Sequence, residues 1–570
     1  MIIQELEKAL SSALEAAGVE LPEGYEVQVD SAADLRFGDY QSNAAMVLAK
    51  RLRTNPRELA SKVIDGLDLA GLAVADIAGP GFINFRISNE AWAQRVSALL
   101  DDDRLGVARV VPAQTVVVDF SAPNVAKPMH VGHIRSTIIG DSLARIARFL
   151  GHQVITDNHI GDWGTQFGMI IHGWKTVLNE ADLESDPVAE LLRVYRTVNA
   201  QCGQDDSVRD TCKQELVKLQ AGDPENLGIW EKCVELSKQG LQGIYDRLDV
   251  EFDYWYGESF YNDRLAPLVD GMLASGVARE SERAVCVFFD DDAKLDDKPA
   301  IVRKADGGFL YATTDLATID FRVEQWAADQ IWYVVGAPQQ LHFQQIFEAT
   351  RKRGLDPEMH HIAFGSILGE DRKLMKTRSG DNVQLVDVLD EAVERAQKVI
   401  EEKNPGMEPA EKKQVASIVG IGAVKFAELS QHRMTDYVFS WERMLALQGD
   451  TAPYLQYSYV RVRSIFRKLD EGVSLDGSSL QIEAEAEVHL ARMLVRFGET
   501  VPILLDDFRP NLLANYLLEL AKAFHSFFEA CPVLKSEGIT QNTRLVLCEL
   551  TSQVLAKGLG LMGIEVPERM

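Results

Sequence analysis

The chain has 570 residues, 46% of them hydrophobic and 25% charged, which is the balance of a globular protein with more than one core. A formal net charge of −27 excludes overall basicity as a source of nucleic-acid affinity and leaves local clusters, RKR at 351–353 and RVRSIFRK at 461–468, as footings for phosphate. The sequence has no apolar run near the roughly 20 residues of a membrane-spanning helix, and its six cysteines form no C-x-x-C pair, so neither a disulfide framework nor a zinc site is expected.

Residues 1–105 read as a small α/β module. MIIQELEKALSSALEAAG has the spacing of an amphipathic helix and no basic leader of a signal peptide, which predicts a cytoplasmic protein. IAGPGFINFRIS reads as a strand after a tight turn, and LDDDRLGVARVVPAQ as a linker. Strand–helix alternation opens at TVVVDF, continues through HQVITDNHIGDWGTQFG and is interrupted by a polar, helix-patterned insertion over about 175–285. Strand-like runs return at VCVFF, AIVRKADGGFLYAT, IWYVVG and HIAFGSIL, with a hairpin signal at Asp306-Gly307-Gly308. Helical periodicity then dominates. The expected domains are 1–105, 106–400 and 401–570, the last all-helical.

The densest chemistry lies in DFSAPNVAKPMHVGHIRSTIIGD, residues 119–141. The preceding β-branched run, Thr115 to Val118, predicts a buried parallel strand. Ile134, Ile138, Ile139, Leu143, Ile146 and Leu150 fall on one helical face, stopped by Gly151. His130 and His133 therefore stand where a strand hands over to a helix, the place where open α/β sheets bind ligands. A helix N-terminus attracts phosphate. Two imidazoles add donors, Lys127 adds a compact charge, and Gly132 leaves room for a close approach to the backbone. The implied chemistry is nucleoside triphosphate activation without a Walker loop.

SAPNVAKPMHVGHIRSTIIGD followed by NHIGDWGTQFG strongly resembles the class I arginyl-tRNA synthetases, HVGH matching the HIGH-type signature. The resemblance runs along essentially the whole chain, through GDYQSNAA, GPGFINF, LYATTDLA, LHFQQIF, LGEDRKLMKTRSGDNVQL, LQGDTAPYLQYSYVRVRSI and VPERM. It implies a multidomain α/β protein with a Rossmann-like catalytic domain carrying a helical insertion. A small tRNA-contacting N-terminal α/β domain and an all-α C-terminal anticodon-binding bundle would flank it.

The same resemblance implies residue roles. His130, Gly132, His133, Met375 and Lys376 would contact ATP, and Lys127, His130, His133 and Lys376 would carry catalysis. Asp119, Asn124, Tyr311, Asp315 and Gln339 would hold arginine, with Asp119 and Asp315 converging on its guanidinium. Taken without the resemblance, Asp315 in TTDLAT reads as a helix cap. Tyr454, Tyr457, Tyr459 and Phe528 would stack anticodon bases, and Arg461 and Arg463 would meet phosphates; aromatics at helical spacing also suit a core. The chain departs from the class at its second signature, where Lys373-Leu374-Met375-Lys376-Thr377-Arg378-Ser379 replaces a KMSKS loop. Lys127 is expected to supply the missing charge, with Lys376 and Arg378 as candidates on the pyrophosphate side. The implied reaction joins L-arginine to tRNA(Arg) through an arginyl-adenylate. ATP is a substrate, Mg2+ travels with it, no zinc is needed, and the working unit is a monomer. The rivals are a small-metabolite nucleotidyltransferase, a non-catalytic tRNA-binding relative and a class I synthetase for another amino acid.

Overall fold

The computed structural model describes residues 2–32, 34–369, 371–373, 375, 383–469 and 475–570. They pack as two compact units. One joins Met1–Ala108, Ser458–Ile503 and Tyr516–Lys557; the other joins Arg109–Tyr457, Leu504–Asn515 and Gly558–Met570. The helical stretch after residue 400 is thus shared between the units.

In the first unit a four-stranded antiparallel sheet has the order Asp30–Ser31, Tyr40–Ser42, Phe82–Ile87, Ala73–Ala78. The strand expected at FINFRI is present, paired with Ala73–Ala78 across the Gly79–Gly81 turn. Asn89–Leu100, capped by Ser88, packs against Glu485–Val495. Two polar links join the N-terminal sheet to that far stretch of chain: Arg492 pairs with buried Asp39, and Tyr40 Oη donates to Glu499 Oε1 at 3.0 Å.

The second unit is organised on a parallel sheet with strand order Glu358–His361, Gln330–Tyr333, Thr115–Asp119, Gln153–Asp157. The chain leaves Thr115–Asp119 for one neighbour, Gln153–Asp157, and comes back much later to the other, Gln330–Tyr333. That reversal is a switch point, and it opens a crevice at the carboxyl ends of Asp119, Asp157 and Tyr333. Val116, Val117 and Val118 are fully buried, as a strand covered on both faces requires. The Val131–Leu150 helix lies close to the sheet because a Cβ on Gly140 would overlap the Phe120 ring. Gly151 ends it in the left-handed region at φ 103°.

The insertion is helical, with Pro187–Gln204, Asp206–Gln220 and Pro224–Arg247 each started by an aspartate cap and a core that includes Phe167, Ile171, Leu191 and Cys233. A separate three-stranded antiparallel sheet, Ala278–Ser281, Ala284–Val287 and Ala300–Arg303, follows. The turn at Asp306–Gly308 forms, but its return is a single bridge, Arg303 to Phe309, before the chain enters the Tyr311–Trp326 helix. The expected hairpin is cut short because the residues after Leu310 bury more as a helix, with Leu316, Ile319 and Phe321 inside. Among the described residues no helix is long and apolar enough to cross a membrane.

Candidate active site

His130 is the N-cap of the Val131–Leu150 helix. Its Nδ1 accepts the Gly132 N–H at 3.1 Å, and His133 Nδ1 accepts the His130 N–H at 3.1 Å. This is a capping box made of two imidazoles, with ring centroids 4.0 Å apart. Using both Nδ1 atoms as acceptors fixes the neutral Nε2–H tautomer of each ring. Burial, then His130 alongside, pushes the His133 pKa down to about 4, and burial also lowers that of His130. The helix mouth therefore presents two uncharged N–H donors. A Cβ on Gly132 would lie 2.9 Å from His130 Nδ1 and Cε1, so glycine there makes room for the imidazole itself. The room expected for a ligand is filled by the protein's own side chain.

The approach to the mouth is strained and firmly held. Ser121, Ala122 and Ala126 have φ of 71°, 45° and 60°, a left-handed conformation that costs non-glycine residues about 1–3 kcal/mol each. Buried side chains satisfy their backbone: Ser136 Oγ accepts from Ser121 N at 2.8 Å, Asn158 Oδ1 from Ala122 N at 3.1 Å and Ser237 Oγ from Ala126 N at 3.0 Å. Asn124 lies across NHIGDWG, where a Cβ on Gly161 would overlap its amide oxygen. Lys127 leaves this rigid backbone with its ammonium 5.0 Å from the centre of the Tyr195 ring.

The C-terminal flank of the second signature returns to the first. Half-buried Met375 donates its N–H to Ile367 O at 3.4 Å. Val131 N donates to Val383 O at 2.9 Å, and Leu385 N to Met129 O at 2.9 Å, so residues 383–385 lie along the histidine cap. Lys376, Thr377, Arg378 and Ser379 lie outside the described residues.

Across the crevice the charge is negative. Tyr311 and Asp315 share one face of the Tyr311–Trp326 helix, one turn apart, and Tyr311 is exposed. Leu310 occupies the cap position, so Asp315 is no cap; its carboxylate receives His342 Nε2 from the Gln340–Lys352 helix. Gln339 is exposed just ahead of that helix. Asp119 departs from the expected role. Its Oδ2 is taken by Arg322 Nη2 at 2.7 Å, which also meets Asp157 Oδ2 at 2.8 Å. Asp119 and Asp157 are register partners on adjacent strands, and two buried carboxylates side by side need a cation between them. The carboxyl that senses Asp315 is instead Glu258. Burial, with Asp162 and Asp315 nearby, pushes it up to about 7 against the opposing pull of His159. Tyr311 feels the Glu258 charge as well. Nothing local marks Glu258 in GESF; the only available hint is its place in a run of aromatics from Tyr254 to Tyr261, after the Pro224–Arg247 helix.

The tRNA candidates are dispersed. Tyr457 is 42% exposed, and Tyr454 is half-buried. In the other unit the Arg461 guanidinium lies 4.6 Å over the Phe528 ring, and Arg463 is paired with Glu549 at 2.7 Å. The basic run at 351–353 is neutralised by Glu348, Asp291 and Asp320.

Residues 95–441 match the family described as tRNA synthetases class I (R), catalytic domain. Residues 455–570 match the DALR anticodon binding domain, and residues 4–87 the arginyl tRNA synthetase N terminal domain. An arginine–tRNA ligase of Laribacter hongkongensis is 46% identical over 580 residues, covering all of both chains. One of Aliivibrio fischeri is 46% identical over 572 residues, 98% of each. The arginyl-tRNA synthetase of Plasmodium falciparum superposes with a TM-score of 0.84 at 27% identity, over 100% of this chain and 99% of that one. That of Thermus thermophilus gives 0.84 at 25% identity, over 100% of both. With its signature helix, its parallel sheet and all three matched segments in family order, the chain belongs to the class I arginyl-tRNA synthetases.

Proposed function

We propose that the chain attaches L-arginine to tRNA(Arg) in two displacements, with the residues above in the following roles. The arginine carboxylate attacks the α-phosphorus of ATP and diphosphate leaves. The terminal ribose hydroxyl of the tRNA then attacks the adenylate carbonyl and AMP leaves. No enzyme nucleophile is required; the protein's work is positioning and charge stabilisation. His130 and His133 donate Nε2–H bonds to phosphate oxygens as charge builds in the transition state, beside the helix N-terminus. Lys127 swings from Tyr195 to the phosphates and takes the place of the class lysine, with Lys376 on the diphosphate side and Met375 against the nucleotide.

Asp315 and Glu258 receive the guanidinium from two sides, and Tyr311 forms a wall. Asn124 and Gln339 hold the amino and carbonyl ends. Asp119 serves by anchoring Arg322. A pocket of this kind rejects uncharged analogues, because it would leave its carboxylates unpaired. Magnesium enters with ATP, its ligands chiefly phosphate oxygens and water. Tyr454, Tyr457, Arg461 and Phe528 contact tRNA, the last two as a stacked guanidinium–aromatic pair. The working unit in this reading is a cytoplasmic monomer.

The observation that carries this reading is the neutral imidazole cap at the helix mouth with the flank of the second signature hydrogen-bonded along it. The experiment is ATP–diphosphate exchange and aminoacylation across the twenty amino acids, with and without tRNA. Exchange driven by arginine alone among them is the expected result. Exchange driven by another amino acid, or aminoacylation indifferent to Lys127→Ala, would remove the corresponding assignment.

A further inference from the structure

We propose that Asp162, acting through Ser259, is a positioning residue for guanidinium recognition: it clamps the Gly257–Ser259 turn that presents Glu258 to the substrate. The inference rests on the reading of Glu258 and Asp315 as guanidinium partners. It gives the NHIGDWG segment a task that the phosphate side does not use.

Asp162 is only 4% exposed, and both of its carboxylate oxygens are committed to one residue. Ser259 N donates to Oδ1 at 2.8 Å, and Ser259 Oγ donates to Oδ2 at 2.7 Å. Gly257 is buried, and a Cβ there would overlap the Asp162 carboxylate, so the turn closes directly onto the acid. Glu258 N donates to Ile160 O at 3.1 Å, and the Trp163 N–H bonds the Glu258 carboxyl. Trp230 Nε1 donates to Asp162 O at 2.7 Å and ties the clamp to the Pro224–Arg247 helix. Residues 160–163 thereby hold both the backbone and the acid group of Glu258. A glutamate on a free loop would lose rotamer freedom each time arginine bound; one held in advance does not.

The clamp is also charged. The groups facing Glu258 are Asp162, Asp315, His159 and Tyr311, with His342 behind Asp315 and Lys238 behind Asp162. Asp162 thus favours the protonated form of Glu258, and neutralising it should move the acid limb of arginine recognition to lower pH.

The test uses the full-length protein with tRNA in ATP–diphosphate exchange, and compares Asp162→Ala, Asp162→Asn, Ser259→Ala and Glu258→Gln. Asp162→Ala should raise the arginine KM roughly 10- to 100-fold and leave the ATP KM nearly unchanged. Asp162→Asn keeps an acceptor for the Ser259 N–H. It should recover most of the loss while shifting the acid limb of kcat/KM for arginine to lower pH. Ser259→Ala should cost a few-fold. Asp162→Ala added to Glu258→Gln should cost no more than Glu258→Gln alone, because both act through one carboxylate. Equal losses for arginine and ATP, or full additivity with Glu258→Gln, would overturn the clamp and leave Asp162 as a structural acid. If Asp162→Ala does not fold, Asp162→Asn and Ser259→Ala still decide the matter: an unmoved acid limb together with a normal arginine KM overturns it. A normal arginine KM in Glu258→Gln overturns the guanidinium reading itself, an outcome distinct from failure of the clamp alone.

Discussion

The two regions proposed to take phosphate and guanidinium, at the same edge of the parallel sheet, are built in opposite ways. The phosphate side is local: a helix mouth, two imidazoles and a lysine within seven residues, 127–133. It meets negative charge with two imidazole donors that are themselves neutral and one lysine. The guanidinium side is dispersed: Glu258, Tyr311, Asp315 and the Asp315 partner His342 come from three stretches of chain. It meets positive charge with carboxylates, of which Glu258 is held against ionisation by burial. One helix N-terminus supplies a field and a row of donors by its own geometry. A guanidinium needs acceptors on more than one side. Placing several carboxylates side by side on one short segment would set them repelling each other, so the fold brings them from different places.

The largest expected effect tests the floor beneath both regions. Arg322→Leu leaves Asp119 and Asp157 buried and facing each other. It should cost about 3–5 kcal/mol of stability, read as a lowered midpoint in urea unfolding. A midpoint near wild type would mean that Asp119 is free for substrate after all.

Next comes the phosphate side. His133→Ala removes a transition-state donor and should slow adenylate formation by about 2.7–4 kcal/mol, with arginine affinity kept. Single-turnover kinetics at saturating ATP would show it; a loss of arginine affinity of similar size would break the division between the two regions. Asp315→Asn is the counterpart, a loss of about 2–3 kcal/mol in kcat/KM for arginine with ATP unaffected. It should also narrow the preference for arginine over citrulline. A defect confined to ATP would refute the pocket.

The two regions should also part company with pH. Glu258 titrates near 7 in the free enzyme because burial and neighbouring acids raise it. Its carboxylate is present above that value, and the proton must leave before a guanidinium can bind below it. The arginine kcat/KM should fall toward roughly tenfold per pH unit below about 6. His133, lowered to about 4, stays neutral throughout, so the ATP KM should change little over the same range. Parallel profiles for both substrates would erase the contrast. The smallest expected effect is Gly132→Ala: the new methyl pushes the His130 ring off its rotamer, at about 0.5–1.5 kcal/mol. It should appear in the activation rate and leave the arginine KM unchanged.

What could be read from the sequence follows the same division. The buried Thr115–Asp119 strand, the face of the Val131–Leu150 helix, its Gly151 stop and the placing of His130 and His133 at its mouth all follow from residues near one another in the chain. Their physics is local, through strand periodicity, capping and the field of one helix. The linking of the N-terminal sheet to distant helices through Arg492–Asp39 and Tyr40–Glu499 is invisible to any local pattern, since nothing near Asp39 announces a partner more than four hundred residues away. The same holds inside the site. Asp119 carried the right chemistry for a guanidinium, and the structure supplies it with one from the protein itself, Arg322. The sequence by itself determined which residues can bond phosphate and which can bond a cation. Only the tertiary structure decided which acids are already neutralised and which still face the crevice, because pairing and burial are set by distances between segments that the chain brings together only when it folds.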